Sequence, residues 1–236
     1  MQGDDAAWLA AGPLLPARFL SRPNRFLIVA ERHGRRVLAA CRDPGRLEGL
    51  LVPGVELRLL PVRRAGRRTA YDVALVRAGR AWTSLVPVLA NRVLEAAIAA
   101  GEAPGLRAAR VVGREVKRGG SRFDFLLAHR GRRVLTEVKS AGLVVDGRAL
   151  FPDAPTLRGA RQVRELTTHV RRGGAGLLVF VVQRSDARSV APHRAIDPGF
   201  ADALAEARRA GVRLLAFNCQ VSPGGCRLRD RIPVLR

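Results

Sequence analysis

Between residues 14 and 82, hydrophobic residues occur in short runs that turn-forming residues interrupt at close intervals. The interruptions are His33-Gly34, Asp43-Pro44-Gly45, Pro53-Gly54 and Ala65-Gly66. Short runs bounded by such turns predict β-strands, here over residues 25–31, 36–41, 55–60 and 70–76. This spacing predicts a small β-barrel, and a five-stranded barrel of the oligonucleotide-binding type fits it best. Barrels of this kind bind many ligands, so the fold alone does not define a function.

The pattern changes after residue 82, where helical and strand-like segments alternate. The first helix is predicted over residues 90–100, with Leu94, Ala97 and Ile98 on one face. Further helices are predicted over residues 156–172 and 200–210, and strands over residues 110–116, 122–127, 133–140, 175–183 and 212–219. This order predicts a mixed α/β domain with its sheet between helices. We therefore predict two domains, residues 1–82 and 83–236.

The net charge is the strongest feature of the composition. Forty-two basic residues against 20 acidic ones give a formal charge of +22. An excess of this size favours a polyanionic partner, with DNA first, RNA as a further possibility and an anionic membrane surface as the weaker alternative. Only Lys117 and Lys139 are lysines, so arginine supplies the other basic positions. Arginine suits bidentate phosphate contacts, although genome composition explains the same bias.

Other features of the composition indicate a cytoplasmic, nucleoid-associated protein that does not enter a membrane. Three cysteines are too few for a disulfide framework, and an odd number cannot all pair within one chain. The cysteines and histidines show no zinc-ligand spacing. The N-terminal Met-Gln-Gly-Asp-Asp has the wrong charge for a signal peptide. The longest strongly apolar stretch, residues 177–182, is far too short for a membrane span. Oligomeric state is left open between monomer and homodimer.

Candidate chemistry is concentrated on two successive predicted strands. In the first strand, alternation predicts that the rings of Phe123 and Phe125 lie on one face and the carboxylate of Asp124 on the other. In the second strand, Glu137 and Lys139 are two residues apart and therefore share a face. A hairpin between the strands would set Asp124 beside Glu137.

Two carboxylates on neighbouring strands form a hard-oxygen site suited to Mg²⁺ or Mn²⁺. We therefore predict Asp124 and Glu137 as metal ligands and, with Lys139, as catalytic residues of a nuclease-type site. Lys139 would orient or deprotonate the attacking water, or hold the phosphate. Glu95, on the preceding helix, is a candidate third metal ligand. The alternatives are a surface ion pair for the three residues and a solvated helix position for Glu95.

Five arginines are candidate nucleic-acid contacts. Arg158 and Arg161 lie near the start of the predicted helix over residues 156–172, where they could reach phosphates beside the metal. The alternative for Arg161 is an ion pair with Glu165, four residues further along the helix. Arg122 adjoins the candidate site on its strand, and Arg42 and Arg46 flank the turn of the barrel domain. Thr156 and Asp153 are the candidates for the N-cap of that helix, and for Asp153 this structural role is the favoured one.

The sequence resembles the sugar fermentation stimulation protein A (SfsA) family of bacteria and archaea. The matching segments run through nearly the whole chain. They are Arg25-Phe26-Leu27, Gly45-Arg46-Leu47, Arg68-Thr69-Ala70-Tyr71-Asp72, Ala90-Asn91-Arg92-Val93-Leu94-Glu95-Ala96-Ala97-Ile98, Ser121-Arg122-Phe123-Asp124-Phe125, Glu137-Val138-Lys139-Ser140, Phe151-Pro152-Asp153-Ala154, Arg158-Gly159, Phe180-Val181-Val182-Gln183-Arg184 and Ile196-Asp197-Pro198.

The resemblance implies an N-terminal oligonucleotide-binding-type barrel followed by a restriction-endonuclease-like α/β domain. It also implies non-specific DNA binding and a regulatory link to sugar (maltose) metabolism. One segment departs from the family, which usually carries Asn-Thr or Asn-Ser before the glycine of the first-domain loop. Here that loop reads Ala40-Cys41-Arg42-Asp43-Pro44-Gly45, and Arg42 and Arg46 are its candidate replacements for phosphate contact.

Two functions are compatible with these features. The first is a DNA-binding protein whose affinity comes from arginine–phosphate contacts, with steep salt dependence and little sequence preference. The second is an Mg²⁺- or Mn²⁺-dependent nuclease that acts on DNA or RNA through Asp124, Glu137 and Lys139. Binding alone has no need for two carboxylates that face a polyanion, because they would repel phosphate unless a cation bridges them. The three residues together therefore favour a metal.

Overall fold

The computed structural model describes residues 13–63 and 65–236, so the predictions made from the first five residues lie outside the described part. The first domain is the predicted barrel. Its strands are β1 Leu15–Asn24, β2 Leu27–Arg32, β3 Arg35–Ala40, β4 Glu56–Pro61, β5 Tyr71–Ala78 and β6 Ala81–Ser84. They pair in the order β3-β2-β1-β4-β5-β6, and β3 also pairs with β5 to close the barrel. The domain boundary predicted at residue 82 falls inside β6.

Alternation along the strands builds the interior of the barrel. Ile28 and Ala30 of β2, and Leu57 and Leu59 of β4, are fully buried, whereas the residues between them are less buried. Each fully buried large aliphatic side chain contributes about 1.5–3 kcal/mol to folding. Strand β1 was not among the predicted runs. Its register shifts twice between Phe19 and Asn24, and these irregularities break the alternation that the prediction needs.

The second domain is the predicted α/β fold. Its elements are α1 Leu89–Ala99, β7 Arg110–Arg118, β8 Ser121–His129, β9 Arg132–Ala141, β10 Val144–Val145, β11 Arg148–Phe151, α2 Leu157–Arg171, β12 Ala175–Val182, β13 Ser189–Pro192, α3 Pro198–Arg209, β14 Arg213–Ser222 and β15 Gly225–Ile232. Six strands form one sheet in the order β15-β14-β12-β9-β8-β7. Strands β9, β12 and β14 are parallel to one another, and the other neighbours in this sheet are antiparallel.

Helix α1 covers one face of this sheet, and helices α2 and α3 cover the other. The continuous apolar run of β12 is explained by burial on both faces. Leu177, Val179 and Val181 pack with α1, whereas Leu178 and Phe180 pack with α2 and α3. The three predicted helices and the five predicted strands of this domain are therefore confirmed. The additional small sheet β10-β11-β13 and the edge strand β15 were not predicted.

Hydrogen bonds join the barrel to the large sheet just after β6. Ser84 N donates to the carbonyl of Gln183 over 3.4 Å. In return, the Gln183 amide donates to the carbonyl of Val86 at 3.2 Å and to Ser140 Oγ at 2.8 Å. Ser140 directly follows Lys139, so this contact ties the end of the barrel to the strand that carries the predicted site.

Candidate functional site

Strand β9 carries a buried ion pair at its second half. Glu137 and Lys139 are only 3% and 9% exposed. The Lys139 ammonium donates to Glu137 Oε1 at 2.7 Å, so the prediction that the two side chains share a face is confirmed. Lys139 also donates to Gln162 Oε1 at 2.9 Å, and Gln162 in turn donates to the carbonyl of Arg122 at 3.2 Å. A residue of α2 thus fixes the position of the ammonium.

Asp124 interrupts the pairing between β8 and β9. The ladder of the two strands runs from Phe125 opposite Thr136 to the β8–β9 turn. Beyond it, the amide of Val138 donates to Asp124 Oδ2 at 2.7 Å. The side chain of Asp124 therefore takes the place of a backbone acceptor and lies next to the Glu137–Lys139 segment.

The predicted placement of the two phenylalanine rings is wrong. Phe123 packs in the cluster formed with α2 and α3, whereas Phe125 packs in the cluster formed with α1. The alternation fails because β8 leaves the regular ladder at Asp124, and Glu115 on the paired strand β7 has a positive φ of 54° at the same level. The local irregularity changes the face to which successive side chains point.

Helix α1 contributes Asn91 rather than Glu95 to this site. The Asn91 amide donates to Asp124 Oδ1 at 2.7 Å. Glu95 lies one turn further along the helix and forms an ion pair with Arg114 of β7. Within residues 13–63 and 65–236, no three Asp, Glu, His or Cys side chains form a metal-binding group, so Glu95 is not brought together with Asp124 and Glu137.

The carboxyl of Glu137 has one free oxygen in an unusual electrostatic setting. Oε2 is buried and has no hydrogen-bond partner among the described residues. Burial raises the pKa of Glu137 to about 7, the charge of Lys139 opposes this rise, and the charge of Asp124 adds to it. A carboxyl with this pKa exchanges its proton near neutral pH. A cation bound next to this free oxygen would also reduce the repulsion between the carboxylates of Glu137 and Asp124.

A cavity of about 440 Å³ between the two domains reaches Asp124 and Lys139, whereas Glu137 is not among its lining residues. The α/β domain lines it with Asn91, Asp124, Val138, Lys139, Ser140 and Asp153, among others. The barrel lines it with Arg25 of the β1–β2 turn and with the loop before Leu47, including Asp43 and Gly45. Sequence reasoning did not assign Asn91, Gln162 or Asp43 to the site. For Asn91 a signal existed, because it lies four residues before Glu95 on the same helix face.

Arg22 of β1 holds the barrel loop in place. Its guanidinium donates to the carbonyls of Gly45 at 2.8 Å, Arg46 at 2.6 Å, Arg25 at 2.9 Å and Asp43 at 3.0 Å. Burial, followed by the charge of Asp153, raises the pKa of Asp43, although hydrogen bonding from Gly45 opposes the rise. The wall of the cavity on the barrel side is therefore fixed by arginine–carbonyl bonds.

The predicted nucleic-acid arginines lie in different settings. Arg42 forms an ion pair with Asp72 at 2.8 Å, and Arg122 forms one with Glu115. Arg46 is exposed, and its carbonyl accepts one of the bonds from Arg22.

Two further arginines lie on α2. Arg158 and Arg161 are exposed, and the charge of Arg158 acts on Glu137. Among the five predicted phosphate contacts, Arg158 is therefore the one whose charge lowers the pKa of Glu137. Thr156, rather than Asp153, is the N-cap of this helix, because its hydroxyl accepts from the amide of Gly159 at 3.0 Å. Asp153 instead faces the cavity.

Among the helices of the described residues, none has the length and apolar character that crossing a membrane requires.

Two family models match the chain. One, described as the N-terminal oligonucleotide-binding domain of SfsA, matches residues 20–85, and the other, described as the sugar fermentation stimulation protein RE domain, matches residues 88–225.

Curated relatives match over most of their length. A sugar fermentation stimulation protein homolog of Moorella thermoacetica is 47% identical over 89% of this chain and 91% of its own. The homolog of Chloroflexus aurantiacus is 41% identical over 95% of this chain and 87% of its own. The structure of Pyrococcus furiosus SfsA, solved in complex with Ca²⁺, superimposes with a TM-score of 0.87 at 29% identity and covers 97% of this chain and 99% of that one. This chain therefore belongs to the sugar fermentation stimulation protein family.

Proposed function

We propose that this protein binds DNA, largely without sequence preference, and that its second domain hydrolyses phosphodiester bonds with the help of Mg²⁺ or Mn²⁺. The observation that carries the proposal is the free, buried oxygen of Glu137 beside Asp124 and Lys139, the two residues of the group that line an open cavity. A carboxylate pair repels a phosphate backbone unless a cation lies between them. RNA is the alternative substrate for the same chemistry.

The donor set fits a hard divalent cation. Mg²⁺ is held in proteins by one or two carboxylates together with water and substrate phosphate oxygens, and Asp124 and Glu137 supply two. The relative from Pyrococcus furiosus was solved with Ca²⁺, which also prefers oxygen ligands. A bound cation would lower the pKa of a water molecule and neutralise charge on the phosphate. Sequence reasoning included Glu95 in this set, and its ion pair with Arg114 removes the support for that role.

The residues of the chain have distinct tasks in this proposal. Asn91 and the Val138 amide hold the two oxygens of Asp124 in a fixed orientation. The ammonium of Lys139 has three N–H donors. Two of them reach Glu137 and Gln162, so the third remains for a water molecule or a phosphate oxygen. Lysine suits this position because its compact ammonium fits between two oxygens, whereas a planar guanidinium would not.

DNA affinity in the proposal comes from the arginines. A net charge of +22 favours association with any phosphate backbone and gives no basis for reading a particular sequence. Arg158 is the proposed phosphate contact beside the site, because its charge lowers the pKa of Glu137. A regulatory role in sugar metabolism is supported only by the names of the relatives.

Nicking of supercoiled plasmid with Mg²⁺ or Mn²⁺ tests the catalytic part. We expect Asp124→Asn and Lys139→Met each to slow nicking by about 100-fold or more, a typical loss when a group that positions or transfers a proton is removed. Lys117→Met is the matched control, because Lys117 is the other lysine of the chain and is exposed on β7. It is expected to nick at the wild-type rate.

Gel-shift binding in EDTA separates loss of catalysis from loss of binding. All three variants are expected to bind DNA as the wild type does. A folded wild-type protein that shifts DNA but never nicks it would contradict the catalytic part and leave a DNA-binding protein. Equal rates for Lys139→Met and Lys117→Met would remove Lys139 from the mechanism.

A further inference from the structure

A second group of basic side chains gathers away from the cavity. His129 is the last residue of β8, Arg130 lies in the β8–β9 turn, Arg213 begins β14, and Arg231 is the penultimate residue of β15. None of the four lines the cavity that contains Asp124 and Lys139. The topology of the sheet therefore brings together basic residues that are far apart in sequence.

Two of the guanidinium groups converge on one point above Gly105, in the loop that follows α1. A methyl group added to the Cα of Gly105 would lie 3.0 Å from Arg213 Nη2 and 3.7 Å from Arg231 Nη1. Arg213 Nη2 also donates to the carbonyl of Gly105 at 2.8 Å. Gly105 has a φ of +84°, which favours glycine, and its lack of a side chain leaves the space between the two guanidinium groups open.

The charges in this group act on one another. Partial burial lowers the pKa of Arg213, and the charges of Arg231 and then Arg130 lower it further. Burial also lowers the pKa of His129, and the charges of Arg213 and Arg130 add to this effect. Every electrostatic contribution to these two groups comes from a cation, so the cluster repels itself.

No carboxylate of the described residues forms an ion pair with these arginines. The ion pairs within residues 13–63 and 65–236 include Arg42 and Arg67 with Asp72, yet none contains Arg130, Arg213 or Arg231. His129 is 8% exposed, and neither of its ring nitrogens has a hydrogen-bond partner in the part of the chain described. Buried polar groups without partners are uncommon in folded proteins. Both features are consistent with a site whose anion comes from outside the chain.

We propose that Arg130, Arg213 and Arg231 form a phosphate-binding site that receives a backbone phosphate of the bound nucleic acid. Guanidinium groups bind phosphate through paired N–H donors, and one anion among them would neutralise their mutual repulsion. The site is exposed at all three arginines, so a phosphate on a polymer can reach it. This inference rests on the DNA-binding part of the proposed function and not on cleavage.

The test removes two charges without disturbing the backbone. Arg130 has a φ of 50° and precedes Gly131 with a φ of 73°, a turn in which Asn-Gly is favoured, so Arg130→Asn keeps the hairpin. Arg231→Gln removes the second charge from a strand position. Arg213 stays unchanged because its bond to Gly105 holds the loop. The control is Arg172→Gln with Arg209→Gln, which removes two exposed charges from the ends of α2 and α3.

Binding of a labelled duplex oligonucleotide is measured in EDTA at several salt concentrations. The site variant is expected to bind about 10-fold or more weakly than the wild type. The slope of log affinity against log salt is expected to fall in magnitude by about one, because the site receives one phosphate and a lost phosphate contact removes about 0.9. The control is expected to lose less than about 3-fold, since its charges act only at long range.

Inorganic phosphate distinguishes a polymer from a free anion. Phosphate is expected to raise the melting temperature of the wild type and the control over chloride at equal ionic strength, but not that of the site variant. If phosphate stabilises the protein in this way but the site variant and the control lose the same DNA affinity, the site binds free phosphate and not a backbone phosphate. If the two variants lose the same DNA affinity and phosphate does not raise the melting temperature, the proposed site is wrong. Stabilisation of a wild type that fails to bind DNA would refute the DNA-binding proposal while the phosphate site remains.

Discussion

Two amides from neighbouring elements hold the carboxylate of Asp124. Asn91 donates to Oδ1, and the backbone amide of Val138 occupies Oδ2. Loss of the Asn91 amide would remove the bond to Oδ1, and only the bond from Val138 would then orient the carboxylate. A small displacement of a ligand or positioning group lowers the rate of a reaction much more than it lowers substrate affinity. Asn91 is therefore a positioning residue in the proposed reaction.

We expect Asn91→Ala to reduce metal-dependent nicking by about 10- to 100-fold with little change in DNA affinity. Glu95→Gln, one turn further along α1, is the matched control and is expected to keep the wild-type rate, because Glu95 pairs with Arg114. Plasmid nicking and gel shift on the same preparations measure both quantities. A large loss in Glu95→Gln with none in Asn91→Ala would restore Glu95 as the ligand from this helix.

At the scale of single residues, the sequence determines contacts between neighbours in the chain and not contacts across it. The shared face of Glu137 and Lys139 follows from a two-residue spacing in a regular strand. The split of Phe123 and Phe125 between two cores depends on how β8 departs from β9 at Asp124. Gln162 reaches Lys139 from 23 residues away in the chain, and no local pattern indicates that contact.

At the scale of elements, Asp72 on β5 connects two segments of the barrel. It accepts from Arg42, which follows β3, and from Arg67, in the segment before β5. Burial alone would raise the pKa of Asp72, but the hydrogen bonds from Arg67 and Arg42 outweigh it and lower the pKa from its ordinary value of 3.8. The pair therefore stabilises the closure of the barrel between β3 and β5.

Asp72→Asn is expected to lower the free energy of unfolding by about 2 kcal/mol at pH 7, the range for hydrogen bonds to charged groups. A carboxyl whose folded pKa is lowered stabilises the fold above its unfolded pKa and loses that effect as the pH falls through the folded value. The difference from wild type should persist from pH 7 to pH 5 and shrink below 3.8. Urea unfolding followed by tryptophan fluorescence measures it. Asp202→Asn, which breaks an exposed ion pair with Arg194, is the control and is expected to change the free energy of unfolding little. A stability loss in Asp72→Asn that stays constant down to pH 2 would contradict the charge-based explanation.

The elements that the sequence predicted are those with a strong periodic pattern. Helix α1 and strand β12 are read directly from their apolar positions, because both are buried. Strand β15 reads as a mixture of charged and small residues, since it lies at the edge of the sheet and half of its residues are exposed. Edge strands are stabilised by pairing with a neighbour, and that partner is not visible in the local sequence.

At the scale of the whole molecule, the two domains share the cavity in front of Lys139. The barrel loop forms one wall, and Gly45 of that loop packs directly against Asp153 of the α/β domain. A Cβ atom at Gly45 would lie 2.1 Å from Asp153 Oδ2, which is far inside van der Waals contact. Arg22 fixes the loop through its carbonyl contacts, so the loop has little freedom to withdraw. The position of the barrel is therefore part of the site.

Gly45→Ala is consequently expected to slow metal-dependent nicking by about 10-fold, because the overlap must move either the Asp153 carboxylate or the loop. Its φ lies outside the left-handed region, so the backbone itself tolerates alanine, and the melting temperature should fall by only a few degrees. Gly49→Ala is the control, since its added methyl would lie 3.5 Å from Leu143 in ordinary contact. The double variant Gly45→Ala with Asp153→Ala should nick at the rate of Asp153→Ala alone, because the overlapping atoms are gone. Additive losses in the double variant would mean that alanine at position 45 acts through the loop itself and not through the contact between the domains.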